Sequence, residues 1–197
     1  PEFSPFSALG LLTVAKELTI GLAMGFMLKL VVESAVFAGQ VVSMGMGLGF
    51  ATAVDPQVGH VPLLGRLYII VATLLLLASN AHLALIRMLA ESYSLMPLGT
   101  SSIEPGDARD LVQFASVMFT GAMQLALPTV VAILMINVAF GVVSRAAPTL
   151  NLFAVGFPVT LMLGFIMMVI GIRNHGPIWD AQFNQALNMI GRMLGGG

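Results

Sequence analysis

Apolar and polar positions segregate along this chain by whole segments rather than by single turns. The first apolar segment runs from about Ala8 to Val42 and is interrupted by Lys16, Glu17, Lys29 and Glu33. Glu17 and Lys29 stand twelve residues apart, about 18 Å along a helix rising about 1.5 Å per residue. A hydrocarbon core is about 30 Å thick, so both charges do not fit comfortably outside it. A charge held at membrane depth costs at least about 2.5–3.5 kcal/mol unless it is paired or drawn to the interface. Lys29 and Glu33 are spaced i, i+4, which allows them to pair on one helix face; the alternative is contact with a partner subunit. Either way the segment suits protein surroundings better than lipid all round.

The run from Ser43 to Pro56 follows, with glycines at 45, 47 and 49 and then Asp55-Pro56. It predicts a break in any straight helix. Irregular backbone at membrane depth is tolerated only where protein buries it or where it lines a cavity. Leu67–Ile86 is a twenty-residue apolar span bounded by Arg66 and Arg87, with Asn80 and His82 near its end. Leu95–Asp110 carries Pro97, Gly99, Pro105, Gly106, Glu104, Asp107, Arg109 and Asp110 and reads as a water-facing loop.

From Leu111 to Ile172 the only charge is Arg145. Two long helices are predicted, about Leu111–Val143 and Leu150–Ile172, joined as a hairpin by Arg145-Ala-Ala-Pro148, because a proline disfavours helix just before it. Pro128 and Pro158 are expected to kink the arms. Ile178–Leu194 spaces Trp179, Phe183, Leu187, Ile190 and Leu194 by three and four, which predicts an amphipathic interfacial helix too polar to span. The pattern therefore predicts an all-α, membrane-associated protein of four long, kinked apolar helices, with a C-terminal hairpin and a terminal amphipathic helix.

Composition agrees. Of 197 residues, 58% are hydrophobic and 9% are charged, where a soluble domain carries about 25% charged residues. A net charge of −1 gives no basic stripe for nucleic acid, and no Lys/Arg run is present to grip anionic lipid. With no cysteine, disulfides, thiol catalysis and cysteine-ligated metals are excluded. The chain begins at Pro1 rather than Met, so a preceding segment is expected, and Pro1–Pro5 and Gly195–Gly197 read as frayed ends.

Catalytic and cofactor chemistry finds no constellation. His60, His82 and His175 lack ligand-type spacing, and the simplest reading of His82 is a hydrogen-bonding residue near a helix end. Gly45-x-Gly47-x-Gly49 is no nucleotide fingerprint, because no strand precedes it. Ser43, Ser79 and Ser144 have no identifiable base. No catalytic residue, cofactor or metal is expected. Fourteen methionines suit either a soft pore lining or flexible apolar packing.

Three motifs together resemble the FliR/SctT family of bacterial export-gate proteins. They are Met44-Gly-Met-Gly-Leu-Gly-Phe-Ala-Thr-Ala-Val-Asp-Pro-Gln57, Asn80-Ala-His82, and Arg145-Ala-Ala-Pro-Thr-Leu-Asn-Leu-Phe-Ala-Val-Gly-Phe-Pro158. The third is the most specific, since Arg145, Pro148, Asn151, Gly156 and Pro158 fall at fixed spacing in a greasy stretch. Asp-Pro-Gln after the glycine run favours the flagellar branch, and the likeness extends from about Leu18 to Ile172. Relatives carry further apolar segments ahead of the position of Pro1.

The resemblance implies a non-enzymatic subunit that joins FliP- and FliQ-type proteins in a closed helical complex, with an FlhB-type switch protein nearby. That complex would sit in the bacterial inner membrane at the flagellar basal body, contact lipid, stand partly proud of the bilayer and pass unfolded export substrates. It further implies that about residues 1–110 are FliP-like and about residues 111–197 comprise a FliQ-like hairpin with the C-terminal amphipathic helix. Met44–Pro62 would be a plug loop, with Met44, Met46, Leu48, Phe50 and Val54 as sealing residues and Asp55-Pro56 within the loop. Relatives often place a second bulky group near Ala53, which leaves more of the seal to Phe50 or to partner methionines. Lys29, Glu33, Arg145, Pro148, Asn151, Gly156 and Pro158 would serve structural or intersubunit roles, Arg145 either pairing with a neighbour's acid, fixing the turn or facing headgroups.

A secondary transporter for a small solute or proton, with Lys29, Glu33 or His82 in its path, is the competing reading. It wants paired repeats and a mid-membrane polar site, and the sequence shows neither. A membrane-bound enzyme is weaker still.

Overall fold

The computed structural model describes residues 7–48, 63–95, 105–147 and 152–194, and these residues form helices and their turns, without a strand. Five helices follow in order: α1 (Ala8–Gly45), α2 (Leu63–Ala78), α3 (Ala81–Leu95), α4 (Pro105–Ala146) and α5 (Leu152–Met193).

Helix α1 starts at an N-cap, where the Ser7 hydroxyl accepts the Gly10 N–H at 3.0 Å and satisfies one of the free donors of a first turn. Its buried positions Met24, Met27, Val31, Ser34, Ala35, Ala38, Gly39 and Val42 recur at helical spacing and form one stripe. That stripe packs against α2 and α4 and also meets α5. Earlier in the same helix Leu9, Leu11, Leu12 and Leu18 are exposed, so the turns before Ile20 present a largely apolar surface around Lys16 and Glu17.

Helices α4 and α5 form the expected hairpin, though both are longer than the pattern predicted. The polar stretch before α4 is only partly loop, because Pro105 to Asp110 are helical. Proline at a first helical position loses no hydrogen bond, since that N–H would be unpaired anyway. The arms continue through Pro128, Pro158 and Pro177. At 42 residues each, they are about 63 Å long, twice the hydrocarbon thickness of about 30 Å.

Two expectations need correction. The terminal amphipathic stretch is not a separate interfacial helix but the last turns of α5. Trp179, Phe183, Ile190 and Leu194 are buried in the protein core, with Gly191 packed near the Met88 methyl of α3. The apolar stripe is real, but protein covers it rather than membrane.

The second correction concerns Leu67–Ile86, which is not one straight helix. Helix α2 ends at Ala78 and α3 starts at Ala81, with a bend of 62°. Asn80 sits at the break with φ 56°, while its carbonyl accepts the Leu83 and Ala84 N–H groups that open α3. Asparagine tolerates this left-handed conformation, whereas other residues with a Cβ lose about 1–2 kcal/mol there. Asn80→Ala is therefore expected to lower stability by about that amount and Asn80→Gly to change it little, as read by thermal unfolding in detergent. Equal midpoints for both variants would show that the bend does not depend on this residue. Among the described residues three helices are long and apolar enough to cross a membrane, or four if the bent pair counts as one.

Candidate functional site

The end of α1 is where the glycine-rich run begins, and its geometry follows from the backbone. The Leu48 N–H donates to the Ser43 carbonyl and the Gly47 N–H to the Met44 carbonyl, each at 3.0 Å. With Gly47 at φ 78°, these bonds form a Schellman cap, in which a left-handed glycine closes the helix. The predicted break is thus assigned to Gly47, while Gly45 remains helical and lies on Val130 and Ile133 of α4.

The candidate sealing residues divide at this cap. Met44 is exposed, Met46 is only 1% exposed, and Leu48 packs partly buried against the core. Met46 fills a notch in α5 where Gly164 has no side chain: a Cβ there would lie 2.8 Å from the Met46 Cγ. Phe50, Val54, Asp55 and Pro56 lie outside the described residues, as do Pro148 and Asn151.

The remaining predicted positions lie on the hairpin and on α1. Gly156 is buried, with the Phe140 ring of the opposite arm about 4.0 Å from where its Cβ would be. The Thr160 hydroxyl donates to the Asn137 Oδ1 at 3.4 Å, a second tie between the arms. Pro158 and Arg145 are exposed, Arg145 in the last turn of α4, where a cation meets the negative end of the helix dipole. Lys29 is exposed and Glu33 half-buried. No ion pair joins them in the structure, so the local pairing expected from their spacing is not made. In the first turn of α3 the His82 Nδ1 is buried without a hydrogen-bond partner.

Sequence reasoning missed a set of polar and small residues between helices. The Ser34 hydroxyl shares its single proton between the Val31 carbonyl at 2.7 Å and the Gln182 Oε1 at 3.0 Å, and both side chains are buried. The backbone of Gly121 on α4 lies directly against the Gln182 amide. Gly39 of α1 meets Gly65 of α2 backbone to backbone. The Tyr68 and His175 rings stand 5.6 Å apart, tilted by 38°, with the Tyr68 hydroxyl and the His175 Nδ1 buried and unpartnered. One signal was available: Ala35 and Gly39 form a small-xxx-small pair of the kind that lets helices approach closely. Gln182 gave none, because a lone glutamine on an amphipathic helix reads as its polar face.

Among the described residues the arrangement gathers no metal-binding group of side chains. It builds a firmly seated helix end whose cap closes at Leu48. Comparison with known proteins bears on its purpose. Residues 1–186 match the family described as bacterial export proteins, family 1. The chain is 32% identical over 190 residues to the flagellar biosynthetic protein FliR of Escherichia coli K12, covering 96% of this chain and 73% of that protein. To FliR of Pectobacterium carotovorum it is 30% identical over 190 residues, with the same coverage of 96% and 73%. To FliR of Bacillus subtilis 168 it is 30% identical over 164 residues, covering 81% of this chain and 63% of that protein.

Proposed function

The chain belongs to bacterial export proteins, family 1, the family of the flagellar biosynthetic protein FliR, and on that premise we propose that it completes and helps to seal the channel of the flagellar export gate. It is a membrane component of the flagellar export apparatus, in a family of export rather than enzymatic proteins. In the proposed role one copy joins FliP- and FliQ-type subunits, with an FlhB-type protein alongside, in the inner membrane at the basal body. The first part of the chain stands in for a FliP-type subunit and the α4–α5 hairpin for a FliQ-type one.

The observation that carries this reading is the end of α1. A long helix buried on one face finishes in a glycine-closed cap and hands the chain to a segment with Phe50 and little charge. Apolar contact suits a seal that must exclude ions yet yield to an unfolded chain, because it is non-directional and re-forms. Unpaired Lys29 and Glu33 also fit an assembly. Charges at membrane depth seek partners, and with no local pair those partners come from neighbouring subunits. Exposed apolar faces on α4 (Phe119, Met123, Leu127, Val131, Leu134) and α5 (Met162, Phe165, Ile166, Val169) supply area for subunits and lipid alike.

The test is to co-express the full-length protein with FliP- and FliQ-type partners, weigh the detergent-extracted complex by native mass, and measure ion leak. A single copy in a stable mixed oligomer is expected, and Phe50→Ala should raise its basal conductance without changing its mass. A chain that ignores those partners would overturn the assembly role, and unchanged conductance would overturn the plug.

One observation favours the transporter reading: α2 and α3 form a discontinuous pair broken at Asn80, as many transporter helices are. In that case Glu33→Gln abolishes solute uptake and Phe50→Ala has little effect.

A further inference from the structure

Met46 was expected among residues facing a pore, yet its side chain is directed into the chain's own hairpin. It is 1% exposed and occupies the space above Gly164, where a Cβ would approach its Cγ to 2.8 Å and its Sδ to 3.2 Å. The residue before it, Gly45, rests on Val130 and Ile133 of the other arm, 3.7 Å being the shortest approach to its Cβ position. The end of α1 is thus gripped between both arms within one turn. The next residue, Gly47, turns the backbone at φ 78°, and Leu48 closes the cap on the Ser43 carbonyl. The last turn of α1 is therefore held by both arms, through Gly45 on α4 and Met46 on α5.

We propose that Met46 and Gly164 are a positioning pair: the methionine seated in the glycine notch holds the end of α1 so that the following segment is presented to the channel in its sealing place. Neither residue touches the passing substrate. Methionine suits the seat because an unbranched thioether fills an irregular gap, and glycine at 164 is what makes the gap. The inference rests on the reading of the following segment as a plug, and the experiment separates the two.

Cysteine chemistry supplies that experiment, since the chain has no cysteine of its own. A Cβ at position 164 lies 2.8 Å from the Met46 Cγ. Allowing one more carbon–carbon bond of about 1.5 Å, the two Cβ atoms come within about 4.3 Å, inside disulfide reach. The doubly substituted Met46→Cys/Gly164→Cys protein is assembled with its FliP- and FliQ-type partners and reconstituted in potassium-loaded vesicles. Reduced, the two small thiols leave the seat loose, and potassium leak should rise towards that of Phe50→Ala. Oxidised, the disulfide pins the helix end and the leak should fall back to the unsubstituted level, reversibly with reductant. Gly164→Val, which evicts Met46 without new chemistry, should leak under both conditions.

A merely structural contact would not make conductance follow the redox state in a complex of unchanged mass. If Phe50→Ala leaks but the reduced double variant is as tight as the unsubstituted complex, the positioning role is wrong and the plug stands. If Phe50→Ala is itself silent, the plug reading fails and takes this inference with it.

Discussion

A single methyl group at Gly39 is expected to destabilise the chain more than a methyl at any other glycine of α1. Built there, a Cβ would lie 2.7 Å from the Gly65 Cα and N and 2.8 Å from the Leu64 carbonyl carbon. All three are backbone atoms, so no rotamer change relieves the overlap and α1 must move away from α2. That shift loosens Leu64, Tyr68 and Ala72, which are buried beside it. Overpacking a tight site costs about 1–3 kcal/mol, and a rigid backbone neighbour places Gly39→Ala at the upper end. The gain in helix propensity of about 0.5–1 kcal/mol offsets only part. The expected result is a thermal midpoint in detergent roughly 4–8 °C lower, at about 2–4 °C per kcal/mol for a chain of this size. Gly21→Ala and Gly25→Ala provide the contrast, because nothing lies within 4 Å of either Cβ position; they should be neutral or slightly stabilising. If Gly39→Ala behaves like these two, α1 and α2 do not approach as closely as described.

Gly39 also shows where reading the sequence stops. Hydropathy identified α1 and the two arms of the hairpin, because long apolar runs act through local chemistry. The end of α1 was legible for the same reason: three glycines in five residues predict a break, though only the backbone conformation singles out Gly47. What a glycine meets across a helix interface is set by another segment of chain. The Ala35/Gly39 spacing allows a close approach without naming Gly65 as the partner, and Gly164 beneath Met46 looks in sequence like any other glycine in a greasy run.

The break at Asn80 escaped notice for a related reason. Leu67–Ile86 contains no proline and no glycine, so nothing local forbids one straight helix. Asparagine only permits the left-handed turn, and the packing of α2 on α1 and of α3 on α5 selects it. At the C-terminus the opposite error arose. The pattern ends one helix at Ile172 and begins another at Ile178, yet α5 runs through Pro177 between them, because packing of Trp179 and Phe183 in the core outweighs the lost hydrogen bond. The spacing of that stripe predicted an apolar face correctly, but the membrane interface it was assigned to is protein core instead. The sealing residues stand apart from both cases: Met46 was singled out for its place in a motif, and its position in the fold suggests a different task from that of Phe50.

Gly121→Ala should be the second most damaging of these substitutions, and it should be rescued by Gln182→Ala. The Cβ at position 121 would strike the buried Gln182 amide. That amide is the far end of a side chain, so it can move, but moving it breaks the 3.0 Å bond from Ser34 and leaves the Gln182 Nε2, already unpartnered, no better placed. An interhelical hydrogen bond in a membrane protein is worth about 0.6 kcal/mol on average, so the overlap, at about 1–3 kcal/mol, dominates. Gln182→Ala alone opens a cavity but strands no polar partner, because Ser34 keeps its 2.7 Å bond to the Val31 carbonyl. With both substitutions the new methyl occupies space the amide has left. The double variant should therefore be more stable than the sum of the singles predicts, by about 0.5–3 kcal/mol, the range for residues in direct contact. Additive losses would mean that the two residues do not touch. A positive coupling would identify Gln182 as the point where α1, α4 and α5 set one another's positions, three turns of α1 before Met46 meets the same hairpin.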